Sequence, residues 1–176
     1  MKRYIKRRKI VLPKKRKKQK IPIELSGIYT IFSRQKGEDE WIEVGKQKNI
    51  IMTAVHNAVA VTFLDLSTLQ DNFKYAYLAL GDGTGTPTSA DDILDNEVYR
   101  TQYVVTANPS NGVSTVDFYV TDTDFSGQIH ELGLFCGNSA TGTADTGNCL
   151  SRVLWSYNKS SSEELLIEYE LTVTST

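Results

Sequence analysis

The stretch LLIEYELTVTST, residues 165–176, has the clearest strand pattern in the chain. Apolar and polar side chains alternate along it, as they do in a strand with one face in a core and the other in solvent. One face carries Leu165, Ile167, Tyr169, Leu171 and Val173, and the other carries Glu168, Glu170, Thr172 and Thr174. This period of two predicts a half-buried strand of an antiparallel sheet.

Other segments share strand features, because each is rich in apolar or β-branched residues and most are bounded by Gly, Asn, Pro or Asp. They are residues 23–32, 73–80, 98–107, 113–122, 128–137 and 149–157. Residues 50–64 differ, because their apolar residues recur at helical spacing after Asn49, which is the expected N-cap. Six or seven strands and one helix predict a mainly β domain over residues 21–176. The expected fold is an antiparallel β-sandwich with one α-helix.

The first twenty residues form a basic N-terminal arm that differs sharply from the rest of the chain. They hold twelve of the twenty Lys and Arg residues and no acid, so the arm carries +12 and residues 21–176 carry −13. The cations are Lys2, Arg3, Lys6, Arg7, Arg8, Lys9, Lys14, Lys15, Arg16, Lys17, Lys18 and Lys20. So dense a charge does not pack into a core, and it predicts a segment that binds an anionic partner.

Three partners fit such an arm: the acidic surface of a neighbouring subunit, a nucleic-acid backbone, or a nuclear import receptor that reads a bipartite signal. The apolar run Ile10–Leu12 is too short for a secretory signal, and no stretch approaches the ~20 apolar residues of a membrane span. We therefore expect a protein made in a cytoplasm, without membrane contact.

Residues 77–100, YLALGDGTGTPTSADDILDNEVYR, contain a GxGxG spacing at Gly81, Gly83 and Gly85. Dinucleotide and phosphate sites need a helix N-terminus directly after such glycines, so that free N–H groups face the anion. Here Pro87 follows, then two aspartates, and there is no P-loop lysine. The pattern favours a structural loop over a phosphate site.

Residues 122–131, DTDFSGQIHE, resemble the first half of a calcium loop through Asp122, Asp124 and Ser126. The bidentate Glu expected at the twelfth position is replaced by Gly133, so an ordinary polar turn is the preferred interpretation and a Ca²⁺ site the lesser one. His56 and His130 have no nucleophile in a recognisable motif nearby. We expect no catalytic site, no cofactor and no small-molecule substrate.

Cys136 and Cys149 flank a Gly- and Thr-rich loop. If the segments on either side pair as strands, a disulfide across the base of that loop is geometrically allowed. Two free buried thiols are the default for a protein made in a reducing compartment. Both alternatives stay open at this point.

Four stretches together resemble a family of small bacteriophage virion proteins found among tail, collar and fibre-anchoring components. They are VGKQKNIIMTAVHNAVA, the YLALGDG…EVYR stretch, GQIHELGLF and LSRVLWSYNKSSSEELLIEYELTV, in that order over about residues 44–174. The basic arm, the two cysteines and the insertion after Phe135 depart from the family pattern. The resemblance implies an oligomeric structural part of a virion, without catalytic activity.

Within that resemblance, Leu94, Glu97 and Arg100 form the close of the loop motif. We expect Leu94 to pack, and Glu97 and Arg100 to pair at i and i+3 or to bind strand ends. Glu131, inside an otherwise apolar strand, is a second candidate partner for Arg100. These residues are interpreted as structural.

The predicted function is therefore a tail, neck or head appendage of a phage particle, a homo-oligomer whose arm anchors it to other virion proteins. The alternative is a capsid-type protein whose arm neutralises packaged genome. With Tyr4 as its one aromatic residue, the arm would bind nucleic acid through the backbone and without sequence preference.

Overall fold

The structure, a computed structural model, describes residues 23–53, 55, 74–106 and 109–175. Nine strands lie within these ranges, and every neighbouring pair is antiparallel. They are β1 (Ile23–Gln35), β2 (Ile42–Lys48), β3 (Ile50–Ile51), β4 (Tyr75–Gly81), β5 (Glu97–Thr106), β6 (Val113–Val120), β7 (Gly127–Cys136), β8 (Asn148–Lys159) and β9 (Glu163–Ser175). The predicted mainly β, antiparallel class is confirmed.

The nine strands form one sheet in the order β2-β1-β9-β6-β5-β4-β7-β8-β3. The sheet curls until β2 approaches β8 at its other side, where a methyl group at Gly45 would lie 2.4 Å from Nε1 of Trp155. β5 joins the two halves, because its first part pairs with β4 and its last part with β6. The result is a nearly closed, barrel-like sheet, and the predicted two-layer sandwich is not confirmed.

The segment predicted to be a helix, residues 50–64, begins as a strand. Ile50 and Ile51 form β3 and pair with Arg152 and Ser151 of β8, as suits two β-branched residues. Asn49 is not an N-cap, since its Nδ2 donates to the Tyr169 hydroxyl at 3.2 Å and its Oδ1 has no hydrogen-bond partner among the described residues. Residues 53 and 55 have helical backbone, and residues 56–73, with most of the predicted helix and His56, lie outside the described residues.

The core lies inside the curled sheet. The alternation predicted for β9 holds in the centre of the strand, because Leu165, Ile167 and Tyr169 are fully buried while Glu168 and Glu170 are exposed. Burial then fades, so that Val173 is 42% exposed. The Tyr169 ring packs 4.8 Å from that of Tyr29, whose hydroxyl shares a 2.6 Å hydrogen bond with Ser151 on β8. Within the described residues, no helix is long and apolar enough to cross a membrane.

The outer side of the sheet has two different halves. Over β4, β5, β7 and β8 it is covered by two loops, residues 82–96 and residues 137–147. Leu94 of the first loop is 2% exposed and fills the space above Gly133, where a methyl group would lie 2.7 Å from the Leu94 Cδ2 atom. Over β1, β9 and β6, the described loops cover the outer side at one end, where Trp41 of the β1–β2 connection packs on Arg34 and Tyr119. We call this second half the open face.

Candidate functional site

A buried ion pair holds the 82–96 loop against the sheet. Glu131 on β7 has no exposed surface, and Arg152 on the neighbouring β8 is 2% exposed. Arg152 donates from Nε to Glu131 Oε2 at 2.7 Å, and its Nη2 atom lies 2.7 Å from the same oxygen. The expectation of Glu131 as a partner of Arg100 is wrong, because β4 lies between β5 and β7 and the register brings Arg152 to Glu131 instead.

The same two side chains bind the loop directly. Glu131 accepts hydrogen bonds from the backbone N–H groups of Asp95, at 3.3 Å, and Asn96, at 3.1 Å. Arg152 pairs with Asp91 at 2.6 Å and with Asp95 at 2.9 Å, and it donates to the Gly85 carbonyl at 3.1 Å. One buried guanidinium on β8 therefore joins three residues of the loop to Glu131 on β7.

The glycines of the GxGxG spacing are required by this close packing. A methyl group at Gly81 would lie 2.6 Å from Glu131 Oε1, and one at Gly83 would lie 2.3 Å from the Asp95 Cβ atom. The Gly85 N–H donates to Asp95 Oδ2 at 2.6 Å. Thus the carboxylates of Asp95 and Glu131 bind loop N–H groups that an external phosphate would need, in agreement with the prediction of a structural loop.

Asp91 stabilises the middle of the loop. It accepts hydrogen bonds from the N–H and hydroxyl groups of Thr88, at 3.0 and 2.6 Å, in addition to the bond from Arg152. Burial opposes ionisation of Asp91, but the bonds from Thr88 and Arg152 outweigh it and lower the pKa of this carboxyl. Asp91 therefore stays charged at neutral pH.

Arg100 anchors the second loop. Its guanidinium makes a two-point contact with Glu97, at 2.5 and 2.6 Å, and both side chains are at least 97% buried. It also donates to the carbonyl oxygens of Thr141 and Thr146, at 2.9 and 3.0 Å, and lies 4.8 Å above the Phe135 ring. The predicted pairing of Glu97 with Arg100 is confirmed, and its role extends to the insertion after Phe135.

The two cysteines are free and buried. The β7–β8 register places Cys136 opposite Asn148 and Cys149 opposite Phe135, so the thiols do not face each other directly. Burial raises the pKa of each thiol to about 12. Of the two alternatives for these residues, the structure has the reduced pair.

The stretch that resembles a calcium loop is a turn between β6 and β7. Asp122 pairs with Lys36 at 2.5 Å, and Asp124 accepts a hydrogen bond from the Thr121 N–H at 2.8 Å. Both carboxylates are thus engaged within the chain. Among the described residues, no group of three or more His, Cys, Asp or Glu side chains is arranged to hold a metal ion.

A cleft of about 460 Å³ lies between the 82–96 and 137–147 loops. Asp91, Asp92 and Asp145 are among the residues that line it, together with Ile93 and Cys149. Three carboxylates repel a phosphate, and no Lys, Arg or His is among the described residues that line the cleft. The cleft offers no support for a nucleotide site.

The arm, residues 1–20, lies outside the described residues. Among those that are described, the sequence analysis assigned no structural role to the buried cations Arg152 and Lys159. Lys159 is 1% exposed and donates to the Phe125 carbonyl at 2.8 Å. A charged residue inside an otherwise apolar strand was the available signal for Arg152, as it was for Glu131, whereas Lys159 ends its strand between Asn158 and Ser160 and gave no such signal. Comparison of the chain with protein-family models, curated proteins and solved structures gives no match.

Proposed function

We propose that this chain is a non-catalytic structural protein of a bacteriophage virion. In this proposal it assembles into an oligomeric tail, neck or head appendage, and its basic arm anchors it to neighbouring subunits. The proposed architecture includes the helix expected within residues 50–64, without Ile50 and Ile51 of β3, and the β-sandwich arrangement expected from the sequence. The protein needs no cofactor and works in the particle, after synthesis in the host cytoplasm.

The proposal rests on one observation, which is that the polar groups of the 82–96 loop are bound by other groups of the same chain. Asp91, Asp95 and Glu131 are all held by Arg152, and the loop N–H groups bind these carboxylates. A site built for catalysis keeps polar groups unpaired and directed at a substrate. Here the most motif-like stretch of the chain is closed on itself, as suits a rigid building block.

The charge distribution supports the assembly part of the proposal. An arm of +12 and a body of −13 attract each other, and exposed charge contacts are screened over ~8–10 Å near physiological ionic strength. Assembly through the arm should therefore weaken as salt is added. An extended arm of twenty residues reaches ~65–70 Å, at ~3.3–3.6 Å per residue, which is enough to cross onto a neighbouring subunit.

The second candidate function is a capsid-type protein that neutralises packaged genome, and the same twelve cations favour it. Each phosphate that the arm neutralises would add about −0.9 to the slope of log K against log salt on duplex DNA.

Mass photometry of the full chain and of residues 21–176, at low and high salt and with non-specific DNA, separates the two functions. Removal of residues 1–20 leaves every described strand in place.

We expect the full chain to form a discrete oligomer without DNA, and truncation or high salt to dissolve it. If both proteins have the same oligomeric state and only the full chain gains mass with DNA, the genome-binding function replaces the structural one. If the full chain stays monomeric under all conditions and ignores DNA, both candidates fail.

A further inference from the structure

The open face carries a group of carboxylates without cationic partners. Asp117 on β6 lies directly opposite Glu168 on β9, and Glu170 follows two residues further along β9. None of the three forms an ion pair with a Lys or Arg among the described residues, although Lys46 lines the same shallow cleft of about 260 Å³. The floor of this cleft also includes Ile28, Thr30 and Thr115.

This placement is unfavourable for the isolated domain. Like charges directly opposite each other on neighbouring strands destabilise a sheet. Partial desolvation in the cleft raises the pKa of both Asp117 and Glu168, although much of Glu168 is exposed, and the charge of Asp117 raises the pKa of Glu168 further. A cationic ligand over the open face would relieve the repulsion, and so would protonation.

The covered half of the barrel differs from the open face in how its carboxylates are paired. There, every buried carboxylate has a cation: Glu97 pairs with Arg100, and Glu131 pairs with Arg152. On the open face, these acids form no ion pair with a described residue, although Lys46 and Lys48 on β2 lie in register with Glu168 and Glu170 across β1. A much larger positive charge, twelve Lys and Arg residues, is present in the same sequence, in residues 2–20.

We propose that the open face of β1, β9 and β6 binds the basic arm, residues 2–20, of a second copy of this chain. This inference rests on the proposed function and names the surface that the arm contacts. The arm provides lysines and arginines for Asp117, Glu168 and Glu170, and the half-buried Ile28 lies beside its path. Its own apolar run, Ile10–Leu12, has basic residues on both sides and suits a face where Ile28 lies among carboxylates.

The position of the arm in the sequence favours a neighbour over the same chain. β1 belongs to the open face and starts at Ile23, so a chain that bound its own face would have to reverse direction just before this strand. Pro22 disfavours that reversal, because a residue that precedes proline is restricted to extended conformations. Thr30, which lies opposite Glu168, is only seven residues along β1, about 24 Å at ~3.4 Å per residue.

The test compares two triple variants of the full chain with the same change in charge. D117N/E168Q/E170Q removes the carboxylates of the open face, and E38Q/D39N/E40Q removes three exposed acids from the β1–β2 connection. Mass photometry over a salt series gives the dissociation constant of the oligomer. We expect the open-face variant to weaken assembly at least tenfold, equivalent to about 1.4 kcal/mol, and the control to change it by less than half that free energy.

A second measurement identifies the occupant. Equal amounts of ¹⁴N- and ¹⁵N-labelled full chains are mixed and treated with a carbodiimide, which joins lysines to adjacent carboxylates without a spacer. Mass spectrometry should then find arm peptides joined to peptides that contain Asp117, Glu168 or Glu170. Some of these pairs should consist of a ¹⁴N peptide joined to a ¹⁵N peptide. If every cross-link between the arm and the open face joined two peptides of the same isotope, the arm would bind its own chain. That result would overturn the assignment to a second copy.

The outcomes also separate this inference from the proposed function. If the full chain assembles in a salt-sensitive way but the two triple variants behave alike, the arm binds elsewhere, and the open face is not its site. If added DNA captures the arm and no cross-link to the open face forms, the genome-binding alternative is favoured. If no oligomer forms at any salt concentration, the proposed function itself fails.

Discussion

Substitution of Arg152 by methionine should destabilise this protein more than the loss of any exposed ion pair. Methionine keeps much of the apolar length of the side chain but removes the guanidinium, so Glu131 remains fully buried without its cation. Loss of one partner of a buried ion pair costs about 3–5 kcal/mol. For a domain of this size, a shift of about 2–4 °C per kcal/mol gives a Tm lower by about 6–20 °C.

Thermal unfolding followed by circular dichroism measures the shift, and limited proteolysis shows where the structure opens. Because Arg152 holds Asp91 and Asp95, we expect new cleavage within residues 82–96. The matched control is K36M, which breaks the pair of Lys36, 62% exposed, with Asp122 and should leave the Tm almost unchanged.

The double variant E131Q/R152M distinguishes an unpaired buried charge from a general packing defect. With the carboxylate neutralised, much of the loss should be recovered, because the fully buried position no longer holds an uncompensated charge, and Asp91 and Asp95, which also lose Arg152, keep contact with solvent. Equal Tm values for R152M and K36M, or a double variant less stable than R152M, would refute the reasoning.

Three further predictions use the same methods. R100A should lose about 3 kcal/mol, because the buried Glu97 loses its cation, and should expose residues 137–147 to protease without removing any activity; an unchanged Tm and normal assembly would contradict this. Cys136 and Cys149, whose pKa is raised to about 12, should resist iodoacetamide at pH 8 in the folded protein and react fully in denaturant, as mass spectrometry can show. E168Q should raise the Tm at pH 7, because the raised pKa means that the folded state disfavours the ionised carboxyl; this gain should vanish below about pH 4, where the wild-type carboxyl is protonated in both states.

Local patterns in the sequence predict part of this fold well. The alternation in β9 identifies Leu165 and Ile167 as core residues, and the spacing of Glu97 and Arg100 identifies their ion pair. The first inference depends on the strand period alone, which fixes the face of each side chain. The second is correct for another reason, because Glu97 and Arg100 lie on β5 and the β-bulge opposite Leu80 and Gly81 brings them to one side of the strand. The loop glycines were similarly identified as structural from the Pro87 and aspartates that follow them.

Features that depend on distant pairing were not predictable from one sequence. Arg152 meets Glu131 only because β8 lies beside β7 in a particular register, and a shift of one residue would place the two on opposite faces. A two-residue strand such as β3 has too little pattern to identify. Sandwiches and barrels also share the same alternation, so closure of the sheet depends on details such as the contact of Gly45 with Trp155.

The placement of the cations in the body gives a final argument about the open face. Residues 21–176 contain eight Lys and Arg residues. Arg34, Lys36, Arg100 and Arg152 form ion pairs among the described residues, and Lys159 is buried against backbone carbonyls. The body therefore uses most of its positive charge to hold turns and loops.

The carboxylates of Asp117 and Glu168 form no ion pair within the described residues, although Lys46 lines their cleft, and their mutual repulsion lowers the stability of the sheet that carries them. Unpaired carboxylates that destabilise a sheet are expected on a binding surface whose partner is absent. E168Q therefore has two opposite expected effects, a body that melts at a higher temperature and an oligomer that dissociates more readily. A purely structural role for Glu168 predicts no weakening of the oligomer, so measurement of both quantities on the same variant decides between the two roles.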